Sequence, residues 1–328
     1  MSFPPKYTKT ARIRKLLQNL NTFKAAFSLV PITPKLSLNI RRTSLLKSSL
    51  FSARIEGNPL KLEDITQRTL RQPTSLKKRE IVNILRALEF IYSKSPKIMT
   101  LDLLKQLHTI VLANISSEAG QFRTEVSAIF NMASVAIYLT PPPNKINELI
   151  NVWSQWCNTN SEPGPIQAAL AHFGFEKIHP FLDGNGRVGR LIMSWILTQS
   201  GYDFGGVVSF EEYLDEHRQE YYDGLNTNIN DITEFVEFFL VAYEAQVQKA
   251  LELIKNPPPQ IQSNLLPRRQ EILDTIRDHN LVSFDFIWRR FQAVPKSTLH
   301  NDLKQLIKGS FIKKLGTTRG VVYTNLND

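Results

Sequence analysis

Residues 179–190 read HPFLDGNGRVGR, a short run dense in glycine, basic and titratable side chains. Two glycines flank Asn185 immediately before an apolar pattern of helical spacing. Glycines permit a tight turn whose backbone N–H groups converge at the start of a helix, and such a turn binds anions. Arg187 and Arg190 follow three residues apart, so both lie on one face of the first helical turns. Because a cation there opposes the helix dipole, the pattern favours a polyphosphate anion between the two arginines.

A carboxylate and a histidine complete this run. Asp183 stands beside the predicted anion site, and a carboxylate next to phosphates is typical of Mg²⁺ binding. His179 has a side chain whose ordinary pKa, about 6.5, suits it to take a proton from an attacking hydroxyl. Together these groups indicate phosphoryl or nucleotidyl transfer. The alternative, a structural histidine and surface ion pairs, explains less because all the parts fall within twelve residues.

The run resembles the signature of the Fic family, HxFx[D/E]GNGRxxR, at every defined position, and a looser resemblance extends over about residues 45–250. The resemblance implies a mainly α-helical Fic core with a small β-hairpin flap. It also implies transfer of AMP from ATP to Tyr, Thr or Ser hydroxyls of target proteins, and of the protein itself, with release of pyrophosphate.

The resemblance also assigns roles by position. His179 would deprotonate the target hydroxyl, and Asp183 would hold Mg²⁺ between the α- and β-phosphates. Arg187 would bind the β-phosphate and Arg190 the γ-phosphate. The anion hole would be formed by Gly184, Asn185 and Gly186.

Residues 52–58, SARIEGN, predict a helix that ends at a glycine with Glu56 in its last turn. A carboxylate is unfavourable there, so a cationic partner is expected, and Arg54 is the simplest one. The segment also resembles the Fic inhibitory motif, [S/T]xxxE[G/N], which begins here at Ser52. In that motif the glutamate pairs with the second arginine of the signature, Arg190, in a bidentate manner that blocks the γ-phosphate. The resemblance therefore implies self-inhibition, and removal of AMP with the glutamate orienting a water stays open.

Two apolar runs, 126–130 and 135–139, predict a hairpin that prolines stop. The resemblance implies that this is the family's flap, which binds an extended target segment by strand addition. An ordinary hairpin at the edge of the core is the alternative, and the usual flap glycine is absent. The flap residues on the nucleotide side would be Ser127, Ala128, Ile129 and Phe130.

An aromatic segment after the motif falls where the family closes its adenine pocket. Its candidate residues are Tyr221, Tyr222 and Asn228. Aromatic residues on an amphipathic helix are equally typical of a core. His172 lies seven residues before His179, and a buried structural role explains it better than a metal pair.

Helical periodicity dominates the chain and predicts a mainly α protein. The predicted helices are Arg79–Tyr92, Leu101–Leu112, Asn144–Cys157, Pro165–Phe175, Arg187–Thr198, Phe210–Leu225 and Ile232–Lys255. The predicted domains are an N-terminal helical region with the inhibitory motif (1–95), a Fic catalytic core (96–255), a Pro-rich linker (256–267) and a winged helix-turn-helix (268–328).

The C-terminal region predicts three helices, Arg268–Asp278, Phe284–Phe291 and Ser297–Ile307, followed by a hairpin of Phe311–Leu315 and Val321–Thr324. Its basic residues and the small polar side chains on its third helix favour DNA binding, whereas the negative charge of Asp302 on the same helix argues against it. Dimerisation and protein docking are the alternatives, so a homodimer is a candidate assembly. The basic residues in question are Arg289, Arg290, Lys296, Lys304, Lys313, Lys314 and Arg319.

Composition narrows the class of protein. The chain has 328 residues, 42% of them hydrophobic, and a net charge of +10, with both ends basic and the centre slightly acidic. A single cysteine excludes an intrachain disulfide, which fits the cytoplasm, and we expect no membrane span. Two functions are alternatives to protein adenylyl transfer. One is a DNA-binding regulator whose Fic core senses nucleotide, and the other is transfer or removal of another phosphate-containing group.

Overall fold

The computed structural model describes residues 3–30, 34–65, 67–94, 96–130, 136–159, 162–256, 265, 267–279, 281–292, 294–316 and 320–326. The chain divides into two compact units. The first comprises Met1–Leu62 and Thr74–Ile261, and the second comprises Glu63–Pro73 and Gln262–Asp328. Apart from Glu63–Pro73, the predicted N-terminal region thus falls in the same unit as the predicted catalytic core. Most of the predicted Pro-rich linker lies outside the described residues.

Helices make up most of both units, and the prediction of a mainly α fold is confirmed. In chain order they are α1 (Ala11–Leu29), α2 (Pro34–Ile55), α3 (Gln67–Arg71), α4 (Leu76–Lys94), α5 (Leu101–Val111), α6 (Ile146–Thr159), α7 (Gly164–Ile178), α8 (Asn185–Gln199), α9 (Phe210–Glu216), α10 (Arg218–Leu225), α11 (Thr233–Lys255), α12 (Pro267–His279), α13 (Phe284–Arg290) and α14 (Lys296–Lys308).

The core of the first unit centres on α7 and α8, which pack against each other. Every residue of α7 except Gln167 is buried, so this helix is covered on nearly all sides rather than along one stripe. α1 packs against α11, and its buried residues are Ile13, Leu16 and Leu20. α2 packs against α4 and α9, which places its C-terminal end beside α8.

A short antiparallel hairpin of β1 (Ala128–Phe130) and β2 (Ala136–Leu139) precedes α6. Ala128 pairs with Leu139 and Ile129 with Tyr138, and the register shifts after Ile129. The predicted loop between the two strands lies outside the described residues.

The prediction of one continuous helix over Phe210–Leu225 is wrong. The chain breaks at His217, whose φ of −115° and ψ of 40° are not helical, so α9 and α10 are separate helices. The His217 ring stacks on Tyr213 with centroids 3.9 Å apart, and its Nδ1 faces the Tyr213 carbonyl at 3.1 Å. These side-chain contacts at the break have no signature in the apolar spacing of the sequence.

The second unit has its own apolar core, which includes Ile272, Ile287, Leu303 and Ile312. Helices α12, α13 and α14 are followed by a hairpin of β4 (Ile312–Leu315) and β5 (Val322–Asn325). A two-residue strand, β3 (Val282–Ser283), was not predicted and adds to β5, which gives the sheet order β3-β5-β4. α3 packs against α12.

Within the described ranges, no helix has the length and apolar character needed to cross a membrane.

Candidate active site

The loop that carries His179 is fixed at both ends by buried contacts. α7 ends at Ile178, and His179 adopts a left-handed backbone conformation with φ of 49°. Phe181 is fully buried, and its ring stacks on His108 with centroids 3.7 Å apart. The side chain of Asn185 accepts from the Phe181 N–H at 2.9 Å and donates to the Phe181 carbonyl at 2.8 Å. Asn185 therefore holds the loop closed through its side chain.

Helix α8 begins directly after Gly184, whose φ of 84° favours glycine. The first backbone N–H groups of a helix have no intrahelical partner, so those of Asn185, Gly186 and Arg187 are of a kind that suits an anion. The Asp183 carboxylate accepts from the Gly184 N–H at 2.6 Å. The Gly184 N–H, one of the predicted anion-hole donors, is thus bonded to Asp183 in this structure, and the carboxylate lies beside the start of α8.

His108 supports this loop from α5. Its Nδ1 accepts from the Gly120 N–H at 2.8 Å, so its other nitrogen carries the proton and donates to the Asp183 carbonyl at 2.9 Å. Burial lowers the pKa of His108, which keeps the ring neutral and this donor–acceptor assignment fixed.

His179 is neutral at ordinary pH. Burial lowers its pKa to about 4; the Glu176 backbone carbonyl raises the value and the Arg123 guanidinium lowers it. The Arg123 Nε donates to the His179 carbonyl at 2.8 Å. The ring keeps one fifth of its surface exposed, while its Nδ1 is buried. The other nitrogen, Nε2, is therefore the one available to a substrate, and a neutral ring is able to accept a proton there.

Arg187 is held between two carboxylates. Its Nη1 donates to Glu80 at 2.7 Å and its Nη2 to Asp183 at 2.6 Å. The second oxygen of Glu80 accepts from the Asn58 amide at 2.8 Å. The Arg187 side chain is only 6% exposed, so this network fixes its guanidinium beside the start of α8.

Arg190 is fully buried and contacts the end of α2. Its Nε donates to the Ser52 hydroxyl and its Nη2 to the Ser52 carbonyl, both at 2.9 Å. The same Nη2 donates to Glu56 at 2.8 Å. The contact uses one carboxylate oxygen, whereas the resemblance implied a bidentate pair. Burial lowers the pKa of Arg190, but Glu56, Tyr221 and Tyr222 together raise it above its ordinary value, so the guanidinium stays charged.

Gly186 gives Glu56 the room for this contact. A Cβ at Gly186 would lie 2.3 Å from the Glu56 carboxylate and 3.1 Å from Arg190. Arg54, the simplest partner of Glu56 from the sequence, instead pairs with Asp215 at 3.1 Å. Glu56 and the start of α8 therefore meet at a point that any larger side chain would close.

The flap hairpin is joined to the loop by Arg123. Its guanidinium donates to the Glu125 carbonyl at 2.8 Å and to the Pro141 carbonyl at 2.6 Å, in addition to the His179 carbonyl. The Ser127 carbonyl accepts from the Thr140 N–H at 3.1 Å, and Ala128 starts β1. Ile129 and Phe130 belong to β1, but their side chains lie outside the described set.

The predicted adenine-pocket residues take different positions. Tyr221 is buried, and its hydroxyl lies 2.6 Å from His172 Nε2, so His172 has a structural partner. The Tyr222 hydroxyl donates to the Ile55 carbonyl at 3.1 Å, next to Glu56. Asn228 is exposed, and its side chain accepts from the Asn230 N–H at 3.0 Å.

A comparison with protein-family models matches residues 98–197 to the Fic/DOC family. The chain contains a Fic/DOC-family domain. It is 28% identical over 286 residues to the protein adenylyltransferase fic-1 of Caenorhabditis elegans, covering 80% of this chain and 53% of that protein. It is 26% identical over 286 residues to the protein adenylyltransferase Fic of Aedes aegypti, covering 82% of this chain and 55% of that protein. The chain thus spans about half the length of these relatives.

A crystal structure of a Fic family protein from Desulfovibrio desulfuricans G20 is similar over 99% of both chains, with a TM-score of 0.68 and 21% identity. At that identity the similarity concerns the fold alone. The Fic/DOC match begins after α4, so α2 and Glu56 lie outside the matched range.

Four residues that the sequence did not single out contact or lie close to the signature residues: Glu80, His108, Arg123 and Glu176. Glu80 and His108 each lie on the apolar stripe of a helix, and a polar residue at such a position is a usable signal for a buried partner. Arg123 lies in a loop, and its three backbone acceptors come from segments that only the fold brings together.

Proposed function

We propose that the protein is a self-inhibited protein adenylyltransferase that transfers AMP from ATP to Tyr, Thr or Ser hydroxyls of target proteins and of itself. The observation that carries this proposal is the contact of Glu56 with Arg190, placed at the same helix start as the anion site. A base, an anion site and two arginines converge there, and the chain is similar to curated adenylyltransferases over most of its length.

The triphosphate would lie along the start of α8. The N–H groups of its first turn suit phosphate oxygens, because they point outward and the helix dipole favours negative charge. Arg187, fixed by Glu80, is placed for the β-phosphate. Arg190 is placed for the γ-phosphate once Glu56 leaves it. Binding two phosphates in this way orients the α-phosphorus for attack.

Asp183 fits the role of a Mg²⁺ ligand. Its carboxylate is 64% exposed and stands beside the anion site, and Mg²⁺ prefers one or two carboxylates with phosphate oxygens and water. The described residues contain no group of three or more acidic, His or Cys side chains that would hold a metal alone. Mg²⁺ would neutralise charge on the phosphates during transfer.

His179 would act as the general base. Its Nε2 would take the proton of the target hydroxyl while the oxygen attacks the α-phosphorus, and pyrophosphate would leave with the electron pair of the broken P–O bond. The flap would hold the target segment by pairing with an edge strand, so that its hydroxyl reaches His179. The Arg123 contacts support this reading, since they join the flap to the base.

Glu56 would be the inhibitor. While its carboxylate accepts from Arg190, the arginine is unavailable to the γ-phosphate, and ATP would bind in a non-productive pose. Removal of AMP, with Glu56 orienting a water, is the alternative activity of the same site. Transfer of another phosphate-containing group is also compatible, since the site contacts phosphates rather than a base.

The test is labelling of a cell lysate by wild-type, Glu56→Gly and Glu56→Gly/His179→Ala proteins with α-labelled ATP and Mg²⁺. The charge-assisted bond between Glu56 and Arg190 is worth about 1.5–3 kcal/mol, so Glu56→Gly should raise labelling by about ten-fold or more. The double variant should lose at least about 100-fold, because it lacks the base.

A γ-labelled ATP control distinguishes AMP transfer from phosphate transfer, since only α-label stays on the target in AMP transfer. Equal labelling by wild type and Glu56→Gly would contradict the inhibitory role. Absence of α-label from every protein that still binds ATP would reject adenylyl transfer and leave another donor as the substrate.

A second candidate function is DNA contact by the C-terminal unit, which we interpret as a winged helix. Asp302, the residue that opposed this reading, is buried between Arg268 and Arg269 at 2.5 and 2.8 Å. The exposed residues of α14 are polar or basic except for Ile307: Lys296, Ser297, His300, Asn301, Lys304 and Lys308. A homodimer through this unit is the competing role.

The single cysteine of the chain, buried Cys157, supports a reducing location such as the cytoplasm.

A further inference from the structure

Glu176 lies outside the Fic signature, one turn before His179 on α7. Its carboxyl group is placed between two histidines: Oε1 is 3.9 Å from His172 Nδ1, and Oε2 is 3.9 Å from His179 Nδ1. The Glu176 side chain is 10% exposed. A carboxyl group in this position is costly to bury unless it serves a partner.

Three buried atoms of this cluster make no hydrogen bond of good geometry in the described part of the chain: His172 Nδ1, Glu176 Oε1 and His179 Nδ1. The backbone carbonyls of Gly189 and Glu176 still raise the pKa values of His172 and His179. Gly189 of α8 faces them, and a Cβ there would lie 2.4 Å from Glu176 Oε1 and 2.7 Å from His172 Nδ1. Buried polar atoms are normally paired, so this grouping indicates a contact that forms with a small side-chain movement. Apo geometry at a catalytic centre is often longer than in the reacting complex.

The second ring nitrogen of His172 already has a hydrogen-bond partner. His172 Nε2 lies 2.6 Å from the Tyr221 hydroxyl, and Tyr221 neighbours Arg190. His172 is fully buried with a pKa that burial lowers to about 3, so it stays neutral and cannot balance the Glu176 charge. Arg190 favours the charged form of Glu176 electrostatically, and His179 is the neighbour whose ring nitrogen the Glu176 carboxylate is able to accept from.

We propose that Glu176 is a positioning residue for His179: its carboxylate accepts the Nδ1–H of the base and thereby stabilises the imidazolium. This rests on the proposed function. When the target hydroxyl gives its proton to Nε2, the ring gains a positive charge and keeps the Nδ1 proton bonded to Glu176. The proton leaves Nε2 to solvent after pyrophosphate departs, which restores both groups. The arrangement parallels the general rule that a base is oriented by a third group.

The charge of Glu176 depends on its surroundings. Burial raises its pKa to about 8, Arg190 of α8 lowers it, and Glu56 at the end of α2 raises it. Tyr221 and Tyr222 of α10 and His172 of α7 are neutral neighbours, with raised tyrosine and lowered histidine pKa values. Loss of Glu56 from Arg190 therefore favours the carboxylate form that supports the base.

The test compares AMP transfer by Glu56→Gly with that by Glu56→Gly/Glu176→Gln from about pH 6.5 to about pH 9.5. The ratio of the two rates should approach one toward the acid end, as Glu176 becomes protonated. The Gln variant should fall about ten-fold behind at the alkaline end, in kcat rather than in the KM for ATP. A deficit equal at every pH would overturn the proposal, because packing damage does not follow this titration.

Glu212→Gln is the matched control. Glu212 is also 10% exposed, but its partners are Lys47 and Lys249, so its rate ratio to the parent should not change with pH. Glu176→Asp keeps a titrating carboxyl and should restore part of the alkaline rise. An Asp variant without any such rise would count against the proposal.

A readout that needs no turnover separates this proposal from the proposed function. In ¹⁵N-labelled wild-type protein, the His179 ring signals are assigned by comparison with His179→Ala. These signals should shift with pH, with a midpoint near the Glu176 pKa of about 8. The shift should be absent in Glu176→Gln. If the His179 ring signals of the wild-type protein do not shift near this pH, the positioning role is overturned, whether or not Glu56→Gly transfers AMP.

Discussion

At the scale of single residues, Arg190 is where binding and inhibition compete. Its guanidinium donates to the Ser52 hydroxyl, the Ser52 carbonyl and Glu56, so three of its N–H donors are bonded without a nucleotide. A fully buried arginine without partners would be costly, and Glu56 removes that cost in the resting protein. A triphosphate must therefore replace Glu56 rather than add to it.

Gly189→Ala tests how tightly the cluster beneath the base is packed. Alanine in a helix interior gains about 1 kcal/mol over glycine. Here the new Cβ meets Glu176 and His172, both buried, and overpacking costs about 1–3 kcal/mol. We expect a net loss of about 1 kcal/mol in the free energy of unfolding, measured by urea denaturation.

Ser194→Ala on the same helix is the control for that measurement. Its side chain is half-buried and only touches the Arg190 carbonyl, so its effect should be small. A more stable Gly189→Ala protein would show that the cluster has spare volume.

The signature residues were identifiable from sequence because they are close together in the chain. His179, Asp183, Arg187 and Arg190 lie on one loop and the helix that follows it. Glu80 and Glu176 were not identifiable in this way. Glu80 reaches Arg187 from a helix about 100 residues away, and Glu176 acts by its burial, which only the packing of α7 against α8 determines.

At the scale of elements, the end of α2 is held by the break between α9 and α10. Asp215 pairs with Arg54 at 3.1 Å and also with Arg218, whose guanidinium donates to the Arg54 carbonyl. The Asp215 side chain is 5% exposed, so these contacts are shielded from solvent. The irregular backbone at His217 thus coincides with the contacts that dock the inhibitory helix.

Asp215→Asn should therefore raise AMP transfer without touching the signature. Weakening the docked state by about 1 kcal/mol raises the released fraction about five-fold, less than the effect of Glu56→Gly. The measurement is labelling from α-labelled ATP, as for Glu56→Gly.

Glu216→Gln, an exposed neighbour on the same helix, is the control for Asp215→Asn and should leave labelling unchanged. In the Glu56→Gly background, Asp215→Asn should add nothing, since no inhibitory contact remains to weaken. An additive effect there would place Asp215 outside the inhibitory mechanism.

The observed helix boundaries agree with the predicted ones wherever one side of a helix is apolar. α4, α5 and α11 begin and end within about three residues of their predicted limits, because their spacing repeats over several turns. The helix predicted over Phe210–Leu225 failed, since apolar spacing continues across His217 while polar contacts break the backbone. β3 was missed because two residues are too short for a periodic signal.

At the scale of the whole molecule, charge is distributed unevenly along the chain. The first 55 residues contain no Asp or Glu, and the region after residue 260 is also basic. In the second unit, Arg268 and Arg269 are used internally to hold Asp302. Other basic residues of this unit are exposed and available to an external polyanion: Arg289, Arg290 and Lys314, together with the lysines of α14.

If the second unit binds DNA, affinity should fall steeply with salt, because each neutralised phosphate releases a counterion. Lys304→Gln and Lys308→Gln should each lower the slope of log K against log salt by about 1, and AMP transfer by Glu56→Gly should not change. Lys15→Gln, an exposed lysine of α1 in the first unit, is the matched control and should keep the full slope. Slopes unaffected by both α14 variants would remove this helix as the DNA-contacting element. Dimerisation, measured by sedimentation of the same variants, would then be the role that its exposed face serves.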